Sequence, residues 1–412
     1  MNLTLAQLPA QCDVLVIGAG PAGSAAATLL ARQGLHVVLV DQRSFPRDKV
    51  CGDGLIPDAH AALARLGVLD EVMARAQAVG HVACIGPRGG RIDVPGELAV
   101  LPRRELDAIV CGGAVRAGAQ MHAPVQFESP LQDSEGRVIG ARLSHGGEHR
   151  ELRAPWLVLA TGAVPQALMA AGMCERQTPT GVALRGYVKN DAMTGRITEM
   201  EVVWHHKLRP GYGWIFPCGD GVFNIGAGVV ESHRKDADGH GRMQDVNLRR
   251  VLDRFCEFYA PARELMAGGQ LLGSLKGAPL RCTLQGARFA RPGLLVAGEA
   301  AGSTYSFTGE GIGKALETGM LAAEALLESR ARALDDQAVC DRYVASINAL
   351  QPRFALYDRA NRVNAYPWLI DLLIWRARKS ASLLKRMSGV LNETSNPGNL
   401  LSFKGMARLF TE

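Results

Sequence analysis

The stretch from Asp13 to Asp41 constrains this chain more than any other. Val14-Leu15-Val16-Ile17 reads as a short buried strand. The turn Gly18-Ala19-Gly20-Pro21-Ala22-Gly23 follows, then a helix of small residues from Ser24 to Gln33. A second strand, His36 to Val40, ends on Asp41. Strand, G-x-G-x-x-G, helix, strand and terminal acid, in that order, make the dinucleotide fingerprint of a βαβ unit. Gly18 makes the sharp turn, Gly20 lets the backbone approach a pyrophosphate, and Gly23 lets the helix pack closely on the sheet. Pro21 and Ala22 lie in the turn before the helix, whose N-terminus offers unpaired N–H groups and a positive dipole end to the phosphates. Asp41, 18 residues beyond Gly23, can accept hydrogen bonds from an adenosine ribose, with Gln42 and Arg43 beside it.

A length of 412 residues allows two domains and a large core. Glycine is abundant, 47 residues, yet no Gly/Ser tract appears, so tight turns near a cofactor explain it better than disorder. Met1 to Gln11 has neither a basic n-region nor a long apolar core, which argues against a signal peptide. No run approaches ~20 uninterrupted apolar residues, which argues against a spanning helix. The nine cysteines are scattered, with no C-x-x-C pair and no His/Cys cluster. Such spacing fits reduced thiols in a cytoplasm rather than a disulfide frame or a metal site. The formal charge of +6 sits at the end of the chain: from Arg353 to Glu412, ten Lys/Arg face four acids. Such a tail suits a solvated helical face or peripheral contact with the inner face of a membrane. Nucleic-acid binding is not expected, because this basic cluster is terminal and most of the aromatics lie elsewhere.

Further anchors divide the chain. Gln42 to Asp58 is a glycine-rich loop carrying Cys51 and Gly52. Ala59 to Ala76 reads as one helix. Val82 to Leu101 alternates around Pro87-Arg88-Gly89-Gly90 and reads as a hairpin. A helix opens at Arg103-Arg104, and strands are expected at Gln120–Phe127, Val138–Ser144 and Glu148–Arg153. Trp156 to Ala160, ended by Thr161-Gly162, has the continuous apolar character of a central parallel strand. Thr180 to Val230 is β-rich and aromatic. Gln244 to Met266 reads as a helix, and Leu272 to Pro279 as the return to the first domain. Leu294 to Ala297 is a second buried strand running into Gly298-Glu299, and a long helix follows Thr308-Gly309-Glu310-Gly311-Ile312. The remainder to Phe410 is helical.

The expected class is α/β: a Rossmann-like FAD/NAD(P)-binding domain with an inserted, mainly antiparallel β-sheet substrate domain and a helical C-terminal region. The expected parts are 11–80, 102–175 and 276–330 for the dinucleotide domain. The hairpin 81–101 and residues 176–275 form the substrate domain, and 331–412 the helical end.

These anchors, taken together, resemble the geranylgeranyl reductase family of FAD-dependent oxidoreductases, related to flavin-dependent aromatic hydroxylases and halogenases. The residues that carry the resemblance are the fingerprint with Asp41, Lys49-Val50-Cys51-Gly52-Asp53-Gly54, Arg104, Pro210-Gly211-Tyr212-Gly213-Trp214-Ile215-Phe216-Pro217, and the Gly298 and Thr308 stretches. The resemblance implies FAD. It implies that the helix opening at Gly311 and Ile312 points its N-terminus at the flavin pyrimidine ring, and that Glu299, where relatives carry Asp, meets the ribityl or pyrophosphate region. It implies that Arg104 holds an FAD phosphate or the ribityl chain. Two departures separate the chain from the oxygenating branches. After the central strand it reads Ala160-Thr161-Gly162-Ala163 where hydroxylases carry Asp-Gly, and Tyr212 replaces the first Trp of the halogenase W-x-W-x-I-P motif.

The activity implied is hydride transfer through flavin N5 to, or from, a carbon–carbon double bond of an isoprenoid or similar long apolar substrate. Cys51 is the candidate proton donor, as a thiol that keeps its proton near neutral pH. Tyr212 and Trp214, with Phe216, Tyr187 and Trp204, are candidates to line an apolar tunnel. The alternatives are an FAD monooxygenase or halogenase acting on an aromatic or carrier-bound substrate, and a flavin-bearing electron carrier. One dinucleotide fingerprint serves one cofactor, so the electron donor is left open among NADPH and a reduced ferredoxin or flavodoxin.

Overall fold

Among the residues that the computed structural model describes, 3–230 and 246–391, the strands form three sheets. The first is built on the fingerprint. Val14–Ile17 lies between Val37–Val40 and Trp156–Leu159, parallel to both, and Leu294–Val296 continues the sheet in parallel. These runs of Val, Leu and Ile are almost wholly buried, as a parallel sheet covered on both faces requires. The fingerprint helix, Pro21–Arg32, packs between the helices Arg103–Arg116 and Ile312–Arg332. Its contact with the latter is backbone to backbone: a Cβ on Gly319 would stand 2.1 Å from the Ala22 carbonyl oxygen.

The second sheet has nine strands. Gly181–Lys189, Val222–Val230 and Gly211–Pro217 run antiparallel, and Met200–Val203 pairs antiparallel with Gly211–Pro217. Met200–Val203 then runs parallel to Gln77–Ile85, which forms a hairpin with Arg91–Val100. The period of two decides what each face carries. Gly213 and Ile215 face the helices Leu248–Phe258 and Ala260–Gly268, where Phe255 fills the space a Gly213 side chain would need. Tyr212, Trp214 and Phe216 face the other way, toward the first sheet.

A meander of Gln126–Gln132, Val138–His145 and Glu148–Arg153 makes the third sheet. At the end of the described chain, Asp336–Ala360 and Arg362–Ala365 lead to Trp368–Ala377 and Ala381–Leu391. The last two lie across the hairpin, with Ile370, Leu373 and Ile374 packed against Ile92, Val94 and Trp204. Among the described residues no helix is long and apolar enough to cross a membrane.

Several elements differ from expectation, each for a local reason. The fingerprint helix opens at Pro21 rather than Ser24, because proline suits the first helical position and Gly20 caps it in extended backbone. The expected helix 59–76 is two, Pro57–Arg65 and Leu69–Met73, broken where Gly67 takes a φ of +68°. The expected helix 244–266 is likewise two, with Pro261 in the first turn of the second; Gln244 lies outside the described residues. Strand 120–127 is split at Pro124, which has no N–H for a ladder: Gln120–His122 joins the first sheet and Gln126–Gln132 the third. Lys276–Leu280, overlapping the expected return 272–279 and the start of the dinucleotide part 276–330, is instead a strand of the second sheet on Gly181–Lys189. The expected helical end beyond Leu391 lies outside the described residues.

Candidate active site

Between the first and second sheets runs a cavity of about 620 Å³. One end is made by loops at the carboxyl edge of the parallel sheet, where doubly wound folds bind nucleotides. Gly18, with a φ of +98°, turns so closely under the central strand that a Cβ would stand 2.3 Å from the Ala160 carbonyl oxygen. Gly20 faces open space, with only an Arg47 nitrogen within 4 Å of where a Cβ would stand. Asp41 accepts from the Ala19 N–H at 3.0 Å and the Arg43 N–H at 2.9 Å, so the acid and the turn are mutually fixed. Arg47 spans 3.5 Å to Asp41 and 2.8 Å to Asp107.

Farther along, Glu299 accepts from Lys49 at 3.0 Å and Thr304 at 3.3 Å. Gly309, at φ +71°, turns the chain into the helix Ile312–Arg332, capped by Gly311. Tyr212 donates its hydroxyl to the Thr308 carbonyl and so pins this turn to the second sheet. The hydroxyl oxygens of Thr161 and Thr308, both in the cavity wall, are buried without a hydrogen-bond partner. Orphaned polar atoms of this kind call for a ligand or water.

The other end is apolar. Trp204, Tyr212 and Trp214 follow one another with ring centroids 5.8 and 6.2 Å apart. Val82, Cys84, Val94, Met200 and Phe216 widen this wall, and Ile370, Leu373, Met387 and Leu391 of the last two helices close it. The Cys51 loop enters from the side. A Cβ on Gly52 would lie 3.2 Å from the Phe216 ring and 3.7 Å from Trp214 Nε1, so the loop packs closely under both rings.

A buried polar network holds that loop. Asp53, fully buried with a φ of +68°, accepts from the Tyr187 hydroxyl, from Asn224 Nδ2 at 2.8 Å and from the Arg103 N–H at 3.2 Å. Asn224 also donates to the Cys51 carbonyl at 2.8 Å and accepts from Trp214 Nε1 at 3.0 Å. Burial pushes the Asp53 carboxyl up to about 6, against hydrogen bonds from Tyr187 and Asn224 and nearby guanidinium charge that favour the anion. Arg103 is buried, forks onto Asp107 at 2.7 and 2.9 Å, and reaches the Cys51 thiol.

Nearly all the residues singled out in the sequence meet in this cavity: Gly18, Gly20, Pro21, Ala22, Asp41, Gln42, Arg43, Cys51, Gly52, Thr161, Gly162, Tyr212, Trp214, Gly298, Glu299, Gly309, Gly311 and Ile312. Three do not. Gly23 is buried inside the fingerprint helix, where a Cβ would stand 1.8 Å from the Gly18 carbonyl oxygen. Its part is to seat the helix under the turn. Arg104 is exposed; the side chain in the cavity wall is that of Arg103. The helix face decides this, since Asp107 one turn later pulls Arg103 inward. Tyr187 turns to Asp53 instead of lining the chamber. Sequence reasoning missed Asn224, although a lone amide in an apolar strand was a signal, and it missed the contribution of the last two helices.

A model of the FAD binding domain matches residues 11–256, more than half of the chain. The chain is 35% identical over 332 residues to the menaquinone reductase of Mycolicibacterium smegmatis, covering 76% of each protein. It is 30% identical over 328 residues to the digeranylgeranylglycerophospholipid reductase of Methanoculleus marisnigri, covering 76% of this chain and 75% of that one. The chain is an FAD-dependent oxidoreductase of the geranylgeranyl reductase family. Two solved structures share the fold of this flavoprotein. One is a geranylgeranyl bacteriochlorophyll reductase-like protein of Thermoplasma acidophilum, at TM-score 0.75 and 22% identity, covering 98% of this chain and 96% of that one. The other is the flavin-dependent brominase Bmp2, at TM-score 0.74 and 19% identity, covering 97% and 98%. The cavity suits the cofactor: a glycine cradle at one end, a helix N-terminus in the middle, and orphaned hydroxyls along the wall.

Proposed function

We propose that this flavoprotein reduces a carbon–carbon double bond in the isoprenoid chain of a lipid. The observation that carries this reading is the apolar chamber that continues the dinucleotide groove. Its walls offer a long hydrocarbon contact along its length and leave few polar groups to orient a small polar substrate. The names of the two relatives each pair a reductase with a lipid that bears isoprenoid chains.

In this reading the Gly18–Gly20 turn and the helix start at Pro21 and Ala22 hold the pyrophosphate. Asp41, with Gln42 and Arg43, takes the adenosine ribose. Thr161, Gly162, Gly298 and Glu299 flank the ribityl chain, and the Gly309–Ile312 turn stabilises negative charge on the flavin pyrimidine. Bound FAD supplies the hydride to one alkene carbon. Cys51 Sγ holds the proton that the neighbouring carbon takes up, and Arg103 stabilises the thiolate left behind. Trp214, fixed by Asn224, and Tyr212, fixed on Thr308, keep the alkene in line and exclude water. The electrons come from outside the chain, from NADPH or from a reduced ferredoxin or flavodoxin.

Anaerobic turnover with a polyprenyl quinone or a polyprenyl glycerolipid tests the reaction. The expected product gains two hydrogens in its chain, by mass spectrometry. Incorporation of oxygen or halogen in the presence of air, or reduction confined to the quinone ring, would overturn it. Cys51→Ser is expected to lose turnover by roughly 100-fold and to retain FAD; unchanged turnover would remove Cys51 from the reaction.

A further inference from the structure

The helix Trp368–Ala377 is apolar on two faces. Ile370, Leu373 and Ile374 are turned inward, and Ile370 and Leu373 reach the chamber. On the outside, Trp368 and Trp375, 56% and 48% exposed, make a stripe with Leu372 between them, at i, i+4 and i+7. Tyr366, 54% exposed, stands just before it. Among the described residues no other Phe, Tyr or Trp is as exposed as these three. A helix that packs only on its own domain leaves a polar outer face, so the stripe calls for an apolar partner.

The charge around the stripe says which. From Arg362 to Arg386 the chain carries six basic residues and one acid, Asp371. That acid is turned to the hairpin, where it accepts from the Arg88 N–H at 3.2 Å. Arg378, Lys379 and Lys385 are exposed, and Lys379 lies 5.1 Å from the Trp375 ring centroid. Exposed indoles beside cations, on a helix too short to span, are the signature of an in-plane interfacial helix: rings at headgroup level, cations toward anionic lipid.

We propose that this face seats the protein on the surface of an anionic lipid bilayer, with Trp368 and Trp375 in the headgroup layer. One helix, about 10 Å thick, then separates the bilayer from the chamber. The Trp368–Ala377 helix is at once the membrane contact and the chamber wall, which suits a substrate that never leaves lipid. This last point rests on the reading of the substrate given above; the seating itself does not.

Flotation of the full-length, FAD-loaded protein tests the seating. Vesicles of phosphatidylcholine alone are compared with vesicles enriched in phosphatidylglycerol. Wild type is expected to float with the anionic vesicles and much less with the neutral ones, and Trp368→Ser/Trp375→Ser is expected to float about tenfold less. FAD content and melting temperature report folding of the variant. Reduction of a short, water-dispersed isoprenoid reports its site and is expected to be unchanged, so that failure of the reaction and failure of the seating are read separately. Should the variant fold poorly, quenching of wild-type tryptophan fluorescence by brominated phosphatidylglycerol takes its place, and quenching is expected. No preference for anionic vesicles, equal flotation of the folded variant, absence of quenching, or a dimer that the substitutions dissolve in place of vesicle binding would each overturn the proposal.

Discussion

The nucleotide end of the cavity is made mostly of backbone, and the chamber end of side chains. At the first, Gly18, Gly309 and the N-termini of two helices set the shape; a methyl group added at Gly18 collides with the Ala160 main chain, and one at Gly309 with the Tyr212 hydroxyl that pins the turn. At the second, the wall is assembled from Trp204, Trp214, Met200, Leu373 and Leu391, which come from three regions of the chain. Backbone sites hold one geometry or fail. Side-chain walls can be reshaped by one residue at a time, so a fold of this kind can keep its cofactor while changing what it acts on.

Substitutions at the two ends separate these behaviours. The largest effect is expected for Gly18→Ala. Its φ of +98° and the 2.3 Å approach to the Ala160 carbonyl leave no relaxed place for a methyl group. FAD affinity, followed by flavin fluorescence on dilution, is expected to fall on the order of 100-fold. Retained affinity would show that the turn yields and that the contrast between the ends is too sharply drawn.

Leu373→Trp is expected to do the reverse. Overfilling a packed wall costs about 1–3 kcal/mol, so KM for a long isoprenoid substrate should rise roughly tenfold, less for a short one, with FAD affinity unchanged. Equal effects on long and short chains would place Leu373 outside the substrate path.

The last effect, on stability rather than on binding, lies where the two ends meet. Burial raises the Asp53 carboxyl from an ordinary 3.8 to about 6, so the folded state binds this proton more tightly than the unfolded chain does. The stabilisation is complete below pH 3.8 and is lost as the pH rises through about 6. Asp53→Asn sets an amide N–H₂ against that of Asn224 and is expected to cost about 1–3 kcal/mol. It should also flatten the dependence of Tm on pH across that window. An unchanged pH slope would assign the titration to another group.

The fingerprint, the central strands and the Gly309–Ile312 turn could be read directly, because each is a local pattern: apolar runs, a glycine at a fixed offset, a helix start. The β-rich, aromatic character of Thr180 to Val230 was legible, but not which aromatics would reach the chamber. Tyr187, expected there, is held by Asp53 instead. Arg103 and Arg104 are neighbours in sequence, and only the helix face tells them apart; the acid at Asp107 was the overlooked sign. The apolar stretch from Tyr366 to Trp375 left a choice between packing and membrane contact, and the structure shows that its inner face packs on the hairpin.

By itself, then, the sequence determined the dinucleotide site and the parallel sheet beneath it. Positive-φ turns, buried strands and helix N-termini are dictated by residues a few positions apart. The chamber was decided only by tertiary structure. Cys51, Trp214 and Leu391 line one cavity because two sheets and a terminal helix pair fold around the same space, and no local preference carries information across such separations.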